Sequence, residues 1–217
     1  MKAHRVTSLI LAGVGGQGIV TSSDILAQAC FLSGYAVKKS EVHGMAQRGG
    51  SVVAQVRFAQ EGEVLSPLIP AGQADLLIGF EMLEALRQAE SVRRGGLAVV
   101  DQLRIEPVTI AQGGGRYPDD ALRAMGARTR VVSVPGGEIA RAAGNARARG
   151  VAVLGAASAF LPLEVAAWEK ALAEVLPARA LECNLVALRL GRELGEAASR
   201  QAKGGPASHS KQGSGPQ

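Results

Sequence analysis

The feature that most constrains the fold is a glycine-rich segment near the start of the chain. Gly13-Val14-Gly15-Gly16-Gln17-Gly18 fits the pattern G-x-G-x-x-G. It follows a short apolar run, Val6–Ala12, and precedes Ile19–Leu32, where apolar residues recur at helical spacing up to Gly34. Glycines between a buried strand and a helix allow a tight turn, and the free amides at the start of the helix favour an anionic phosphate. The sequence therefore predicts a strand–loop–helix unit that binds phosphate, although the same glycines could serve only for tight packing.

Strand and helix patterns alternate beyond this unit. We expect strands over Tyr35–Lys39, Val52–Phe58, Ala74–Phe80, Leu97–Val100 and Arg130–Val134, and helices over Glu81–Arg93, which Gly95-Gly96 would end, and from Pro135 onwards. The remainder is helical, because Val165, Trp168, Leu172, Val175 and Leu176 share one face and Leu181, Leu185, Leu188 and Leu194 share another. This order predicts an α/β fold with a Rossmann-like, mostly parallel sheet flanked by helices and a C-terminal helical segment, with Trp168 in the core.

We expect one domain over residues 1–198 and a tail over residues 199–217. The end of the chain is rich in Gly, Ser and Pro, and from Lys203 it has no hydrophobic residue larger than alanine. Such a segment cannot bury enough apolar area to offset the entropy lost on ordering, so we expect the tail to be disordered. It also contains Arg200, Lys203 and Lys211 without any acid, so much of the net charge of +5 belongs to it.

Composition excludes several classes of function. Aromatic residues are only 3% of the chain, and the body outside the tail is nearly balanced in charge, so we expect no nucleic-acid partner. The longest apolar stretch is too short to span a membrane, and no signal peptide is evident, so we expect a cytoplasmic protein. The two cysteines, Cys30 and Cys183, are too few and too far apart to hold an iron–sulfur cluster or zinc, and both are expected to be buried free thiols.

The residues after the second strand bear on the choice of nucleotide. A site for NAD needs an acidic residue at the end of that strand, where this chain has Lys38-Lys39-Ser40, with Glu41 just beyond. Two lysines suit a phosphorylated ribose better than a bare one, which favours NADP over NAD if either binds. A solvated strand end explains the two lysines equally well.

A second motif follows at Ser40–Val53, with the sequence SEVHGMAQRGGSVV. It is too polar and glycine-rich for a core strand, and we expect a loop at the same edge of the sheet as the first glycine loop. Arg48 precedes Gly49-Gly50, so its planar guanidinium could bind a phosphate or carboxylate. The alternatives are a structural turn with a surface arginine and, for His43, a hydrogen-bonded structural role.

The two motifs together resemble the gamma-type domain of the 2-oxoacid:ferredoxin (acceptor) oxidoreductases. The resemblance rests on LILAGVGGQGI and SEVHGMAQRGGSV and is tightest over Leu9–Arg57. It continues more loosely through ADLLIGFEMLEALR and VAVLGAASAFLPL to about residue 195. On these matches the residues of the first loop are carried over as a candidate binding site together with those of the second. They are Gly13, Gly15, Gly16, Gln17 and Gly18, and His43, Gln47, Arg48, Gly49 and Gly50.

The resemblance implies a subunit of an enzyme that oxidatively decarboxylates arylpyruvates such as indolepyruvate. Coenzyme A is the co-substrate, and the products are an aryl-acetyl-CoA, carbon dioxide and reduced ferredoxin. It also implies a larger catalytic subunit that carries thiamine diphosphate and iron–sulfur clusters, with no cofactor or metal held by this chain alone. No individual catalytic residue follows from it. A freestanding NADP-dependent oxidoreductase and a non-catalytic assembly or regulatory protein stay open as alternatives.

Overall fold

The computed structural model describes residues 5–43, 50–107, 110 and 112–203. Its centre is a six-stranded sheet in the order β2-β3-β1-β4-β5-β6. The strands are β1 (Val6–Val14), β2 (Ala36–His43), β3 (Ser51–Ala59), β4 (Ala74–Gly79), β5 (Val92–Asp101) and β6 (Arg130–Val134). Only β3 runs against the others, since it pairs antiparallel with both β1 and β2. The expectation of a mostly parallel sheet is confirmed.

Helices cover both faces of this sheet. They are α1 (Ile19–Leu32), α2 (Met82–Gln88), α3 (Ala121–Gly126), α4 (Gly136–Ala142), α5 (Arg149–Ser158), α6 (Val165–Val175) and α7 (Ala178–Lys203). Side chains of β1 alternate between the faces, as a strand requires. Leu9 and Leu11 belong to the core formed with α1, α5, α6 and α7, whereas Ile10 and Ala12 join the core formed with α2 and α3.

The C-terminal helices complete the larger core. Trp168 on α6 is fully buried, which confirms its expected place in the core. Helix α7 lies so close to α5 that a side chain would not fit at three glycines. A Cβ atom added to Gly155 would collide with the backbone of Leu188, and Cβ atoms at Gly191 and Gly195 would collide with the backbone of α5. These glycines allow the two helix backbones to touch.

The expected helix over Glu81–Arg93 is too long, and the interpretation of Gly95-Gly96 as its end is wrong. Helix α2 ends at Gln88, a short 3-10 helix follows over Ala89–Ser91, and Gly95 and Gly96 lie inside β5. Gly95 has a φ of 71°, which favours glycine, and the pairing of β4 with β5 is irregular between Ala74 and Leu76. A glycine pair stops a helix and forms a bulge equally well, so sequence alone did not distinguish them.

The polar segment Ser40–Val53 is less of a loop than expected. Residues Ser40–His43 continue β2, and Ser51–Val53 belong to β3. Polar residues are tolerated there because β2 is an edge strand of the sheet and pairs on one side only, with β3. The strand therefore extends past Lys38-Lys39-Ser40, where the sequence was expected to end it.

Helix α7 continues to Lys203, past the boundary expected at residue 198. The residues after Lys203, and with them most of the expected tail, lie outside the described residues. The division of the chain into 1–198 and 199–217 therefore stays a prediction, with helix α7 crossing it.

Candidate functional site

The candidate site lies at the carboxyl edge of the sheet, between two neighbouring strands whose following helices pack on opposite faces. Strands β1 and β4 are parallel neighbours. The chain leaves β1 into α1 on one face and leaves β4 into α2 on the other, as the two cores show. In open α/β sheets, a crevice opens outside the strand ends at such a point, and ligands bind in it. The first glycine loop lies directly at this position.

The glycine loop has backbone conformations that require glycine. Gly16 has a φ of 97° and Gly18 a φ of 79°, and both are exposed. Gly18 also precedes α1, which has no side-chain cap and no acidic residue in its first turn. The first amides of α1 are therefore not occupied by a capping side chain, and the positive end of the helix dipole faces the loop. This arrangement suits a phosphate or carboxylate.

Gln17 holds the loop in place from within. Its side-chain oxygen accepts a hydrogen bond from the Val14 amide at 2.6 Å, and its side-chain nitrogen donates to the Phe80 carbonyl at 3.0 Å. The glutamine thus links the loop after β1 to the end of β4. A Cβ atom on Gly13 would lie 2.6 Å from the Gln17 oxygen, so glycine is needed at position 13 for this contact. Gln17 positions the loop, while its expected role in ligand binding stays a prediction.

The structure brings the two sequence motifs together at this edge. The amide of Gly15 donates a hydrogen bond to the carbonyl of Gly50 at 2.8 Å. His43 is the last residue of β2 and stands opposite Val52 on β3. Gln47, Arg48 and Gly49 lie outside the described residues. The two loops therefore meet through Gly15 and Gly50, as expected from the shared direction of β1 and β2.

Lys38 and Lys39 are not placed for a ribose phosphate. Lys39 forms ion pairs with Asp24 on α1 and with Glu41, the latter at 2.7 Å. Burial lowers the pKa of Lys39, but its hydrogen bonds to these two carboxylates and their charges outweigh burial and raise it above the ordinary value. Lys38 donates to the Leu65 carbonyl at 3.3 Å. Both lysines lie within β2 and not at its end, so the argument for NADP loses its basis.

A buried ion pair at the same edge was not expected from the sequence. Asp101 ends β5 with a carboxylate that is 1% exposed, and Arg149 at the start of α5 binds both of its oxygens, at 2.5 and 3.0 Å. The next residue, Gly150, packs tightly against the glycine loop, because a Cβ atom at this position would lie 3.2 Å from the Gln17 carbonyl oxygen. Asp101 and Arg149 therefore fix α5 against the glycine loop. An acid directly after an apolar strand was a signal for Asp101, whereas Arg149 had no local signal.

A second buried carboxylate lies beside β4. Glu81 is 1% exposed and caps α2 by accepting the Glu84 amide at 2.8 Å. It also accepts hydrogen bonds from the Tyr117 hydroxyl at 2.5 Å and the Ile105 amide at 3.0 Å. Burial, followed by the hydrogen bond to Glu81 and its negative charge, raises the pKa of Tyr117 above its ordinary value. Glu81 thus fastens the segment after β5 to the carboxyl edge of β4.

The cysteines show no sign of a reactive site. Cys30 is fully buried on α1, and burial raises the pKa of its thiol to about 12. Cys183 is half-buried, which is more exposed than expected, and its sulfur accepts a hydrogen bond from Asn145. Among the described residues, no group of three His, Cys, Asp or Glu side chains could hold a metal ion.

None of the helices in the described part of the chain is both long and apolar enough to span a membrane.

Comparison with known proteins places this geometry in a family. Residues 8–194 match the family described as pyruvate ferredoxin/flavodoxin oxidoreductase. Indolepyruvate oxidoreductase subunit IorB of Archaeoglobus fulgidus is 38% identical over 85% of this chain and 92% of its own length. The same subunit of Thermococcus kodakarensis is 33% identical over 85% and 93%.

A solved structure shows the same fold. It is a 2-oxoglutarate:ferredoxin oxidoreductase from Magnetococcus marinus with 2-oxoglutarate, coenzyme A and succinyl-CoA bound. It superposes with a TM-score of 0.70 at 22% identity, over 89% of this chain and 31% of that one. The residues that match the family model, 8–194, include both glycine motifs and end within α7. This chain is a gamma-type subunit, similar to the IorB subunits of indolepyruvate oxidoreductases. It therefore belongs to the pyruvate ferredoxin/flavodoxin oxidoreductase family.

Proposed function

We propose that this chain is the non-redox subunit of a cytoplasmic enzyme that oxidatively decarboxylates arylpyruvates, with indolepyruvate as the representative substrate. Coenzyme A takes up the acyl group as a thioester, carbon dioxide leaves, and the two electrons released pass to ferredoxin. Thiamine diphosphate and the iron–sulfur clusters belong to a larger partner subunit. Support comes from the similarity to indolepyruvate oxidoreductase subunits and from the two cysteines of this chain, which are too few for a cluster.

The observation that carries the proposal is the meeting of the two glycine motifs. The Gly15–Gly50 hydrogen bond joins them beside the uncapped start of α1. A loop with exposed glycines at a helix N-terminus suits a phosphate, and coenzyme A is the phosphorylated substrate of this reaction. In the proposed role, the backbone amides of Gly16 and Gly18 and the start of α1 bind a phosphate group of coenzyme A. Gln17 and Arg149 act as positioning residues, because their contacts hold the loop and α5 in register.

The test uses the complex reconstituted from this chain and its catalytic subunit. Gly15→Val places a branched side chain beside the phosphate site, so the Michaelis constant for coenzyme A should rise while the complex still assembles. Gly126→Val is the matched control, because a Cβ atom at Gly126 meets no atom within 4 Å. A loss of thermal stability without any selective effect on coenzyme A would instead assign the loop a purely structural role.

The same preparation tests whether this chain needs its partner. The isolated chain should not reduce a viologen dye with indolepyruvate and coenzyme A, whereas the complex should. Bound flavin or nicotinamide in the absorption spectrum of the isolated chain would contradict the proposal and support a freestanding oxidoreductase. Assembly that depends on this chain, with turnover that does not, would support a regulatory protein.

Substitutions of Arg48 test the second motif, whose role in binding is proposed from the sequence around this residue. We propose that its guanidinium binds a phosphate, a substrate carboxylate or an acid of the partner subunit through two parallel hydrogen bonds. Arg48→Lys keeps the charge but loses this geometry, so it should be impaired almost as much as Arg48→Ala. Losses of about 1.5–3 kcal/mol are expected for a hydrogen bond to a charged group. Wild-type kinetics and wild-type subunit affinity in both variants would remove Arg48 from the site.

A further inference from the structure

A second cavity lies at the opposite edge of the sheet from the glycine loop. Its volume is about 640 Å³, and it opens at the amino ends of β1, β4 and β5. Thr7 lines it, and along β1 the distance from Thr7 to Gly13 is roughly 20 Å at the usual rise per residue. A volume of this size suits a small organic ligand. The cavity is therefore a site separate from the proposed phosphate site.

The walls of this cavity concentrate the aromatic side chains of the protein. The whole chain has one Trp, two Tyr and four Phe, and Tyr35, Phe58 and Phe160 all line this one cavity. Tyr35 and Phe58 meet edge to face with ring centres 5.1 Å apart. The Tyr35 hydroxyl donates a hydrogen bond to the Pro162 carbonyl at 3.2 Å, which fixes the ring. Phe58 is only 1% exposed and supports Tyr35 from behind, so the rings that a ligand can contact are those of Tyr35 and Phe160. Such rings favour a flat aromatic ligand, since aromatic pairs gain energy beyond the area they bury.

Two arginines, Arg5 and Arg93, line the cavity, and both have hydrogen-bond donors that no described residue accepts. Asp75 is already satisfied, because its carboxylate binds Arg93 at 2.9 Å and the Ser8 amide at 2.9 Å. The Arg5 guanidinium lies 3.9 Å from the same carboxylate, which is beyond hydrogen-bond length, and its side chain is 80% exposed. Arg5 makes no hydrogen bond to any residue that the structure describes. Its donors are therefore available to an anionic group at the mouth.

The glycines of the β5 bulge shape the floor. Gly95 and Gly96 both line the cavity, and Gly96 cannot accept a side chain, since a Cβ atom would lie 2.9 Å from the Arg93 carbonyl. Gly95, at a φ of 71°, turns the backbone there. Bulges are common beside binding sites because they redirect the neighbouring side chains. Arg93 lies in this irregular part of β5 and donates a hydrogen bond to Asp75 at 2.9 Å.

We propose that this cavity binds a small molecule with a planar aromatic ring and a carboxylate. The ligand ring lies against Tyr35 and against the side of Phe160 that Arg130 does not cover, since the Arg130 guanidinium lies 5.2 Å from the centre of the Phe160 ring. The ligand carboxylate binds the guanidinium of Arg5. Glu61 also lines the cavity, so a ligand that carries an ammonium group next to its carboxylate could bind both charges. Both kinds of ligand are aromatic carboxylates, and neither needs the phosphate site in order to bind.

The test is calorimetric titration of the isolated full-length chain, which lacks the active site of the complex. Indole-3-acetate should bind saturably with one molecule per chain, whereas acetate, without the ring, and indole, without the carboxylate, should bind about tenfold more weakly or not at all. Titration with tryptophan shows whether the ligand is an aromatic amino acid or an arylcarboxylic acid without an ammonium group. Tighter binding of tryptophan, abolished by Glu61→Gln, assigns an amino acid, and tighter binding of indole-3-acetate assigns an arylcarboxylic acid.

Two pairs of variants locate the binding. Phe160→Leu keeps an apolar side chain but removes the ring, and Arg5→Gln removes the charge, so each should weaken indole-3-acetate binding about tenfold. Phe31→Leu and Arg123→Gln are the matched controls, because both residues are exposed and lie outside the cavity. Absence of saturable binding, or equal losses in the controls, would overturn the proposal. So would a Phe160→Leu variant that binds indole-3-acetate normally but no longer assembles with the catalytic subunit, because the cavity would then be a subunit contact.

Discussion

At the scale of single residues, buried charges organise the carboxyl edge of the sheet. Asp101 is buried at the end of β5 and depends on Arg149 for its neutralisation, while Arg149 is 31% exposed and can reach water. The pair is therefore unequal, because loss of the arginine leaves a buried charge without a partner.

We expect Arg149→Met to destabilise the protein more than Asp101→Asn. Arg149→Met leaves the buried Asp101 carboxylate without a partner and should lower the free energy of unfolding by about 3–5 kcal/mol. Asp101→Asn keeps a hydrogen-bond acceptor for Arg149 and for the Gly136 amide and should cost about 1–2 kcal/mol. Urea denaturation at neutral pH measures both. Equal costs would show that Asp101 is better solvated than its burial indicates.

The Tyr117–Glu81 hydrogen bond predicts a loss of stability at alkaline pH. The pKa of Tyr117 is raised in the folded protein, so above pH 10 the unfolded chain releases this proton while the folded chain keeps it. The stabilisation is therefore complete below pH 10 and is lost as the pH rises further. Tyr117→Phe should lower stability at pH 8, and its unfolding free energy should fall less steeply between pH 10 and 11. Identical slopes for the two proteins would contradict the assignment.

At the scale of elements, glycines at the contact of α5 and α7 set the distance between these helices. Gly191→Ala should destabilise the protein by about 1–3 kcal/mol, because the new methyl group would collide with the carbonyl of Ala152. Gly126→Ala, where the added Cβ meets nothing within 4 Å, should be neutral or slightly stabilising. Thermal unfolding of the two variants compares them directly. A neutral Gly191→Ala would mean that α7 can shift outwards without loss.

The elements also show what could be predicted from the sequence. The bounds of α1 and β6 were predicted as observed, because periodic apolar residues and a following Gly34 or Pro135 agree on where each element ends. The β5 bulge and the extension of β2 could not be predicted, since both depend on neighbouring strands that local sequence does not show. At the site, the glycine loop was recognisable from its pattern. Arg149 was not, because it reaches Asp101 across 48 residues of sequence.

At the scale of the whole molecule, the sheet offers two separate edges. The carboxyl edge holds the glycine loop, Gln17 and the Asp101–Arg149 pair, and the amino edge holds the aromatic cavity. Both edges belong to the described body, whose final element is α7. We therefore expect the residues after α7 to contribute nothing to the fold.

Deletion of residues 204–217 should therefore leave the protein intact. Apart from Pro206 and Pro216, this segment has no apolar side chain larger than alanine, so it has little to bury against the body. We expect a melting temperature within about 1 °C of the full chain and unchanged assembly with the catalytic subunit. A control deletion of residues 185–217 removes Leu188 from the core and should unfold the protein. A marked drop in melting temperature for the shorter deletion would show that the tail docks on the body.

The contact between α5 and α7 has a consequence for biosynthesis. All six strands of the described sheet lie before residue 135, whereas the helix that closes its larger core is the last one described, from residue 178. During synthesis, α1, α5 and α6 therefore cover only part of this core before α7 is made, and Leu154 on α5 and Leu188 on α7 join one core only after α7 has left the ribosome. Until that moment the nascent chain exposes a surface that chaperones recognise and that promotes aggregation. Slow translation of α7 would prolong this exposure, while the folded protein, with α7 in place, would show no trace of it.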